Sequence, residues 1–444
     1  MKFYNREKEL AYLKKIELQS KKSSQMTIII GRRRVGKTTL IKEAFGTKQL
    51  YLFVSKKNEA LLCEEFTTII QKELGVKIFG EIRRFKDLFE YLMTLAQTTP
   101  FTLILDEFQE FLQINSTVYS EMQNIWDSYK DKTRMNLILC GSIYSLMKKI
   151  FEDRKEPLFG RANHKIQLKP FSVTTQQNII EELNPDYHPR DLLSFYIFTG
   201  GVAKYVELFI DSHALTFDEQ LDLIFDENSL FIDEGKNLLI EEFGKEYTTY
   251  FSILSLIASS KTSRSEIESI LEKNVGGYLD RLEHEYSIIK KIRPIFAKEG
   301  SRSVKYEIID NFFNFWFRFI YKNRSAIEIE NYKYVKDITK RDFSTFRGRF
   351  LERWFIEKLK ETGEFSEIGS WWEKGNQNEI DIVAVNREKR YMLIAEVKIN
   401  SGRIDLKKLK VKAEKLLQMH QGYRIDFKGF SLNDLGAPLK DFDD

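Results

Sequence analysis

The chain has 444 residues, of which 42% are hydrophobic and 31% charged, and its formal net charge is only +4. This length exceeds one ordinary domain, so about two to four domains are expected. The near balance of charge excludes a chain that is basic throughout, so any surface for nucleic acid would have to be local.

The two cysteines, Cys63 and Cys140, exclude a disulfide framework, and Cys140 closes an apolar run in the manner of a buried core thiol. The start of the chain is charged from its second residue, and no apolar run reaches the ~20 residues of a spanning helix. We therefore expect a cytoplasmic protein with no membrane segment. The five histidines are scattered, so no zinc site is predicted.

The first predicted strand covers Met26–Ile30, and a glycine-rich loop and a helical stretch follow it. The loop, GRRRVGKT, matches the pattern G-x-x-x-x-G-K-[ST] completely. Its glycines let backbone N–H groups wrap phosphates, Lys37 should reach the β- and γ-phosphates of ATP, and Thr38 should hold Mg²⁺. The arginines in the variable positions are either solvated or in contact with a partner or a phosphate. The predicted nucleotide-binding residues of this loop are Gly31, Gly36, Lys37, Thr38 and Thr39.

Two further apolar runs end in polar residues. The first ends in Asp106 and Glu107, where Asp106 can ligand Mg²⁺ through water and Glu107 can orient the attacking water. An acidic helix cap is the alternative interpretation of this pair. The second run is followed by Ser142, which either senses the γ-phosphate or caps a helix. Strands that alternate with helices predict a doubly wound α/β sheet.

A set of segments in this order resembles the archaeal-type ATPases, which are P-loop ATPases of the AAA+/STAND kind. The segments are FYNREKEL, GRRRVGKTTL, LILDEFQEF, LILCGSIYSLM, PLFGRANHKIQLKPF and TGGVAKYVELF. The resemblance implies that Phe3–Glu7 lie near the adenine and that Arg161 senses the γ-phosphate or acts as an arginine finger, across subunits only in a ring. A surface loop arginine is the alternative. The family often has Gly-Gly-x-Pro in its lid, whereas this chain has Ala203 at the proline position, which puts nucleotide sensing by that turn in question.

Residues 169–240 have the pattern of amphipathic helices and are predicted to form a helical lid. Over residues 241–325 we expect three helices, of which the third leads into a strand at the end of SIIKKI, and then two strands over 293–310 joined by a polar turn. Three helices followed by a hairpin are the order of a winged helix. The third helix carries Arg281 beside several acids, so a structural winged helix is preferred over one that reads the major groove. The aromatic run over 311–320 predicts a helix buried between domains, and a platform for stacking single strands is the alternative.

In the last third of the chain, an amphipathic helix over 346–360 carries Glu352, and strands joined by a charged turn follow it. Residues two apart share a face of a strand, so Glu396 and Lys398 point the same way, and the hairpin can bring Asp381 beside Glu396. Adjacent carboxylates repel unless a cation lies between them, and a divalent metal with oxygen ligands meets that need. Lys398 would then stabilise developing charge or orient water at a phosphodiester.

This order of Glu352, Asp381 and then Glu396-Val-Lys398 resembles the PD-(D/E)XK nuclease superfamily, with Ile380 in place of the proline. The segment also resembles a C-terminal domain of unknown function that often follows archaeal-type ATPases. The resemblance implies catalytic roles for these acids and the lysine, with Mg²⁺ or Mn²⁺ at Asp381 and Glu396. The alternative is a half-exposed hairpin with ordinary surface pairs, which the apolar strands around the acids disfavour.

A basic helix over 405–420 follows, and it suits a phosphate backbone, although a solvated face is a common alternative. Its lysines are Lys407, Lys408, Lys410, Lys412 and Lys415.

The whole sequence predicts an α/β fold: a P-loop ATPase core over 1–168, the lid, the winged helix and an α/β restriction-endonuclease-like domain over 326–444. The leading hypothesis is an ATPase that uses ATP and Mg²⁺ and is coupled to a metal-dependent nuclease domain acting on DNA. The second is an ATP-driven regulatory switch that binds DNA or protein without cleaving. Assembly as a homo-oligomer and a role in defence against mobile DNA or in mobile-element maintenance stay open.

Overall fold

A computed structural model describes residues 2–46, 49–298, 300, 303–373, 375 and 377–439 of the chain. The chain divides into two compact units, Lys2–Pro170 and Phe171–Asp444. Within the described ranges, no helix is both long enough and apolar enough to cross a bilayer.

The first unit is built on five strands: β1 Gln25–Ile30, β2 Leu50–Phe53, β3 Phe101–Asp106, β4 Met135–Gly141 and β5 His164–Gln167. They form one sheet in the order β2-β3-β4-β1-β5, and every neighbouring pair is parallel. The helices are α1 Glu7–Ser20, α2 Lys37–Phe45, α3 Glu59–Leu74, α4 Phe85–Leu95, α5 Phe111–Ile114, α6 Thr117–Tyr129 and α7 Tyr144–Glu152.

The central strands of this sheet are buried along nearly their whole length, as parallel strands covered on both faces must be. Two hydrophobic clusters lie on the two faces, one including Leu103 and Leu137 and the other including Ile104 and Ile138. The predicted doubly wound α/β arrangement is confirmed. The loops that carry the nucleotide motifs all leave the carboxyl edge of this sheet.

The second unit begins with helices that fill the region predicted to be lid and winged helix. They are α8 Val173–Leu183, α9 Pro189–Thr199, α10 Ala203–Asp211, α11 Phe217–Ile224, α12 Leu230–Phe243, α13 Tyr247–Ala258, α14 Arg264–Leu271 and α15 Gly276–His284. A two-stranded antiparallel hairpin follows, formed by β6 Ile289–Ile292 and β7 Lys305–Ile308. The strand expected after the third helix is confirmed as β6, and the second of the two strands expected over 293–310 is confirmed as β7. The first of those two was wrong, since residues 293–298 form no strand and Pro294 has no N–H to donate to a ladder.

Three further helices complete the middle of this unit: α16 Asn311–Phe315, α17 Arg324–Glu328 and α18 Tyr332–Phe346. Helix α16 continues into a π-helical turn over Trp316–Ile320, and most of its aromatic side chains are buried. The Trp316 indole N–H donates to the carbonyl of Ile232 on α12 at 2.9 Å. The aromatic run is therefore packed core, as its all-round apolar pattern predicted, and its rings are not available to stack on bases.

The last part of the chain forms α19 Gly348–Thr362, β8 Glu367–Glu373, β9 Gln377–Asn386, β10 Tyr391–Lys398, α20 Leu406–Met419 and β11 Arg424–Ser431. The sheet order is β11-β10-β9-β8, with β11 parallel to β10 and the other neighbours antiparallel. Strand β11 was missed in the sequence, because the alternation of Ile425 and Phe427 with charged residues is short and is interrupted by Gly429. It closes the edge of β10, the strand that carries Glu396 and Lys398.

Candidate functional site

The glycine-rich loop lies between β1 and α2 in the backbone shape that its sequence requires. Gly36 has φ 99°, a left-handed conformation that a side chain would disfavour. At Gly31, a Cβ would come within 2.8 Å of the Leu168 carbonyl oxygen. Lys37 Nζ is buried and donates to the carbonyls of Gly31 at 2.7 Å and Arg32 at 3.1 Å. Burial lowers the pKa of Lys37, so a phosphate group at this loop would meet a poorly solvated ammonium.

Asp106 lies at the end of β3 and faces the loop. Its Oδ2 accepts hydrogen bonds from Thr38 Oγ1 at 3.3 Å and from the Tyr51 hydroxyl at 2.5 Å. The contact with Thr38 places the two predicted Mg²⁺ residues together. Tyr51 was missed because it lies on β2, whose place beside β3 depends on sheet order. Burial and the Asp106 carboxylate raise the pKa of Tyr51, so its hydroxyl stays a donor.

Glu107 and Ser142 come from adjacent strand ends and contact each other. Ser142 Oγ donates to Glu107 Oε2 at 2.7 Å, and Gln109 Nε2 donates to the same oxygen at 2.5 Å. Glu107 itself has a positive φ of 55°, which turns its side chain from the strand. The structure thus joins the residue predicted to orient water with the residue predicted to sense phosphate. Thr39 follows Thr38 in the first turn of α2.

The Phe3–Glu7 segment and Arg161 lie in different parts of the first unit. Phe3 packs against the cluster that contains Val35 and Leu40, so the start of the chain borders the phosphate loop. Arg161 precedes β5 and lines a cavity of about 460 Å³ together with Gln25, at the amino edge of the sheet. It pairs with Asp127 at 3.3 Å. The phosphate loop leaves the opposite, carboxyl edge, so Arg161 does not meet the nucleotide site of its own chain, and the finger role is left only across subunits.

The Thr199-Gly200-Gly201 turn precedes α10 and forms without the proline of the related lids. Gly201 has φ 70°, and its N–H donates a hydrogen bond to Thr199 Oγ1 at 3.1 Å. Its carbonyl accepts from the Phe171 N–H at 2.7 Å. Ala203 is the first residue of α10, a position that suits proline but does not need it.

The acids of the last sheet meet at the point where β9 and β10 run side by side. Asp381 Oδ2 accepts from the Val397 N–H at 2.7 Å and from Lys398 Nζ at 3.1 Å. Lys398 Nζ also lies 3.4 Å from Glu396 Oε1 and donates to the Val397 carbonyl at 3.1 Å. Burial acts against the charge on Lys398, but Asp381 and Glu396 outweigh it and raise the pKa of this lysine.

Glu396 is held by the segment that begins α20. The Asp405 N–H donates to Glu396 Oε2 at 3.1 Å, and Lys412 Nζ donates to Oε1 at 3.4 Å. Burial acts to raise the pKa of Glu396, but the Asp405 N–H and the two lysines outweigh it, and the pKa is lowered. Lys412 was not distinguished in the sequence from its neighbours on the helix, because only the packing of α20 on the sheet places it here.

Glu352 joins this cluster from α19, which packs on β9 and β10. Burial first, and then the nearby Asp381 carboxylate, raise the pKa of Glu352 to about 8. Asp381 and Glu396 form ion pairs with Lys398 and Lys412, and Glu352 places a third carboxyl group near Asp381.

The donors at this site suit a hard divalent cation. Within the described ranges, no group of three or more acidic, histidine or cysteine side chains already has the arrangement of a metal centre. Burial, and after it the Asp381 carboxylate, raise the pKa of Glu352, and a divalent cation at Asp381 would offset the second of these two effects. Asp381 and Glu396 would hold Mg²⁺ or Mn²⁺ through carboxylate oxygens, and the cation would supply polarisation of a phosphate or of water.

The β6–β7 hairpin packs against the same sheet. The Ile295 N–H donates to the Ser370 carbonyl at 2.8 Å, and the Ile295 side chain joins a core with Trp371 and Ile380. Lys305 Nζ lies 2.8 Å from Glu379 Oε1 and 4.4 Å from the centroid of the Trp372 ring. Ile295 and Lys305, on the two sides of the hairpin connection, are therefore engaged in contacts within the chain.

The parallel sheet, phosphate loop, acidic strand end and polar strand end define a P-loop ATPase domain. Residues 3–209 match a family described as an ATPase domain predominantly from Archaea. Residues 316–413 match a family of archaeal and bacterial proteins of unknown function. The two matches follow each other along the chain, the ATPase domain first and the family of unknown function second.

A relative of similar extent is an uncharacterized protein of Methanocaldococcus jannaschii, 29% identical over 406 residues that cover 89% of this chain and 87% of the relative. Among solved structures, the Walker-type ATPase of Pyrococcus abyssi aligns with a TM-score of 0.52 at 17% identity, covering 71% of this chain and 96% of that one. This likeness shows the fold. The ORC2 protein of Aeropyrum pernix aligns with a TM-score of 0.48 at 16% identity, over 74% of this chain and 96% of that one.

Proposed function

We propose that the chain is a Mg²⁺-dependent ATPase whose C-terminal domain cleaves nucleic acid, with DNA as the substrate. ATP bound at the loop of Gly31, Gly36 and Lys37 would be hydrolysed with Thr38 and Asp106 at the metal and Glu107 at the attacking water. Hydrolysis or binding would change the action of the C-terminal domain on its substrate. Arg161 would take part only if a second copy brought it to the nucleotide.

One observation supports the nuclease part most strongly. Four side chains from three separate elements converge at one point of a four-stranded sheet. They are Glu352 of α19, Asp381 of β9, and Glu396 and Lys398 of β10. Buried acids that meet without a task cost stability, since each must be desolvated beside another negative charge. A carboxylate pair with an adjacent ammonium group is the arrangement that metal-assisted hydrolysis of a phosphodiester requires.

The surface next to this point favours a polyanion as substrate. Four lysines of α20 are exposed, and the helix begins beside Glu396. A row of ammonium groups binds a phosphate backbone by releasing its counterions, without reading sequence. The four are Lys407, Lys408, Lys410 and Lys415.

The experiment is cleavage of supercoiled plasmid and of single-stranded DNA by the full chain with Mg²⁺ or Mn²⁺, comparing the unaltered protein with Asp381→Asn. The matched control is Asp426→Asn, which removes an acid of β11 that bonds the Tyr391 hydroxyl at 2.9 Å, away from the cluster. Metal-dependent cutting that is lost in Asp381→Asn and kept in Asp426→Asn is expected. Cutting that survives Asp381→Asn would assign the activity to another site or to a contaminant.

A regulatory switch that binds DNA or protein without cleaving is the second candidate, and one observation favours it. The β6–β7 hairpin, α19 and the last sheet are tied together by Ile295, Lys305 and Arg353, so this unit is suited to move as one piece. Retained binding of DNA by Asp381→Asn, with no cutting by the unaltered chain under any metal, would favour this candidate.

A further inference from the structure

Lys412 differs from the other lysines of α20 in both exposure and partner. The side chains of Lys407, Lys408 and Lys410 are exposed, whereas Lys412 is 23% exposed and lies against the acidic cluster. Its Nζ is 3.4 Å from Glu396 Oε1, the same oxygen that lies 3.4 Å from Lys398 Nζ. Two ammonium groups therefore converge on one carboxylate oxygen that is also a donor for a divalent cation.

The two lysines are anchored unequally. Lys398 Nζ keeps Asp381 Oδ2 at 3.1 Å and the Val397 carbonyl at 3.1 Å when its contact with Glu396 is removed. Lys412 Nζ has no second hydrogen-bond or ion-pair partner in the part of the chain that the structure describes. A cation that binds Glu396 repels both ammonium groups. Lys398 then keeps its other partners, whereas Lys412 loses the one polar contact that holds it at the cluster.

We propose that Lys412 is a displaceable counter-ion of the acidic site: it holds Glu396 in the absence of a divalent cation and moves to a substrate phosphate oxygen when the cation binds. This inference rests on the proposed nuclease function of the same site. It assigns to Lys412 a role that its neighbours on α20 do not share, since they can attract the phosphate backbone only from the surface. The displaced ammonium group stays beside the cluster because its stem is packed, so it meets the phosphate that the cation attracts.

If Lys412 competes with the cation for Glu396, removal of its charge should tighten binding of the metal alone. Lys412→Met removes the competitor and keeps most of the apolar stem, so the site should bind Mn²⁺ about three- to tenfold more tightly than in the unaltered chain. Lys412→Arg keeps the charge and should stay close to the unaltered affinity. The matched control is Lys408→Met, one turn earlier on the same face of α20 and exposed, which should change the affinity less than about twofold. If Lys412 had only a structural role, Lys412→Met would instead bind Mn²⁺ more weakly than the unaltered chain.

The measurement is calorimetric titration of the full chain with Mn²⁺ in the absence of nucleotide. Asp381→Asn identifies the heat that belongs to this site. The second measurement is DNA affinity with and without Ca²⁺. Ca²⁺ should raise the DNA affinity of the unaltered chain and should not raise that of Lys412→Met. Lys412→Gln repeats both measurements if Lys412→Met does not fold.

Equal or weaker Mn²⁺ binding by Lys412→Met, with the Asp381-dependent heat present, would overturn the inference and leave the metal site standing. Mn²⁺ binding that is the same in Asp381→Asn and in the unaltered chain would instead overturn the proposed metal site itself. Tighter Mn²⁺ binding together with loss of the Ca²⁺-dependent gain in DNA affinity is the result expected here.

Discussion

At the scale of single residues, the two sites prepare their lysines differently. Lys37 lies on backbone carbonyls of its own loop, with its pKa lowered by burial, and needs an anionic ligand. Lys398 already lies between two carboxylates, which raise its pKa. Its charge is therefore secured before any substrate arrives, and it serves the acidic cluster as a permanent cation.

Replacing Glu107 by glutamine tests the assignment of catalytic water. Gln can still accept from Ser142 but cannot take a proton, so ATP hydrolysis should fall by about 100-fold or more while ATP binding is kept. Phosphate release and binding of a fluorescent ATP analogue measure the two effects separately. Glu121→Gln, a partly exposed acid paired with Arg84, is the control and should hydrolyse ATP normally. Unaltered ATP hydrolysis by Glu107→Gln would show that Glu107 does not activate water and would favour the alternative interpretation as an acidic helix cap.

At the scale of elements, the start of α20 determines how Glu396 of the acidic site is held. Asp405 caps α20 by accepting from the N–H groups of Lys407 and Lys408, both at 3.0 Å. Its own N–H reaches Glu396. The position of Glu396 thus depends on where this helix begins.

Removal of the cap should loosen both the helix and the site. Asp405→Ala is expected to lower the free energy of unfolding by about 1 kcal/mol, whereas Asp405→Asn, which keeps a capping oxygen, should lower it by only a few tenths. Urea unfolding followed by circular dichroism measures the difference. Equal stability of the two variants would show that the helix does not rely on this cap.

The packing of Ile295 against the last sheet should contribute to the stability of the second unit. Ile295 is 9% exposed and packs with Trp371, so Ile295→Ala should destabilise the second unit by about 2 to 4 kcal/mol. Ile309→Ala is the matched control, because Ile309 is 46% exposed and should change stability by less than about 0.5 kcal/mol. Unfolding followed by tryptophan fluorescence reports on both. Similar effects of the two changes would mean that the hairpin is not part of this core.

At the scale of the whole molecule, Arg353 links three segments of the second unit. Its guanidinium donates to the carbonyls of Ile308 and Ile309, both at 2.9 Å, and to Asn311 Oδ1 at 2.5 Å, and it pairs with Glu307. Asn311 Nδ2 donates in turn to the Tyr196 carbonyl of α9 at 3.3 Å. Because Arg353 directly follows Glu352, one helix, α19, holds both the contacts to α9 and the hairpin and a carboxyl group of the acidic site.

This link predicts an acid-sensitive unit. Burial acts to raise the pKa of Glu307, but Arg353 and Lys290 outweigh it and lower the pKa to about 2. A carboxyl with a lowered folded pKa stabilises above its unfolded value of about 4.5, and this stability is lost as the pH falls toward 2. Glu307→Gln should therefore destabilise the chain by about 2 to 3 kcal/mol at pH 7, and the difference should shrink between pH 4.5 and pH 2. Thermal unfolding across this pH range measures it, and a pH-independent difference would contradict the assignment.

Some of this arrangement follows from local sequence and some does not. The β1 strand, the phosphate loop and the strands of Asp106 and Glu396 were predictable, because their apolar runs and motif spacing are local. Strand β11, Tyr51 and Lys412 were not, since each depends on which elements become neighbours in the folded sheet. Arg161 lies at the amino edge of the sheet, opposite the phosphate loop. This position depends on the order of the parallel strands, which the local motif around Arg161 does not reveal.

The most direct test of a coupled ATPase and nuclease is the rate of Mg²⁺-dependent plasmid cleavage with and without ATP, measured for the unaltered chain, Lys37→Met and Asp381→Asn. If the two sites are coupled, ATP should change the cutting rate of the unaltered chain but not that of Lys37→Met, and Asp381→Asn should not cut. Absence of cutting by the unaltered chain with every metal and nucleotide, while DNA is still bound, would contradict a coupled ATPase and nuclease.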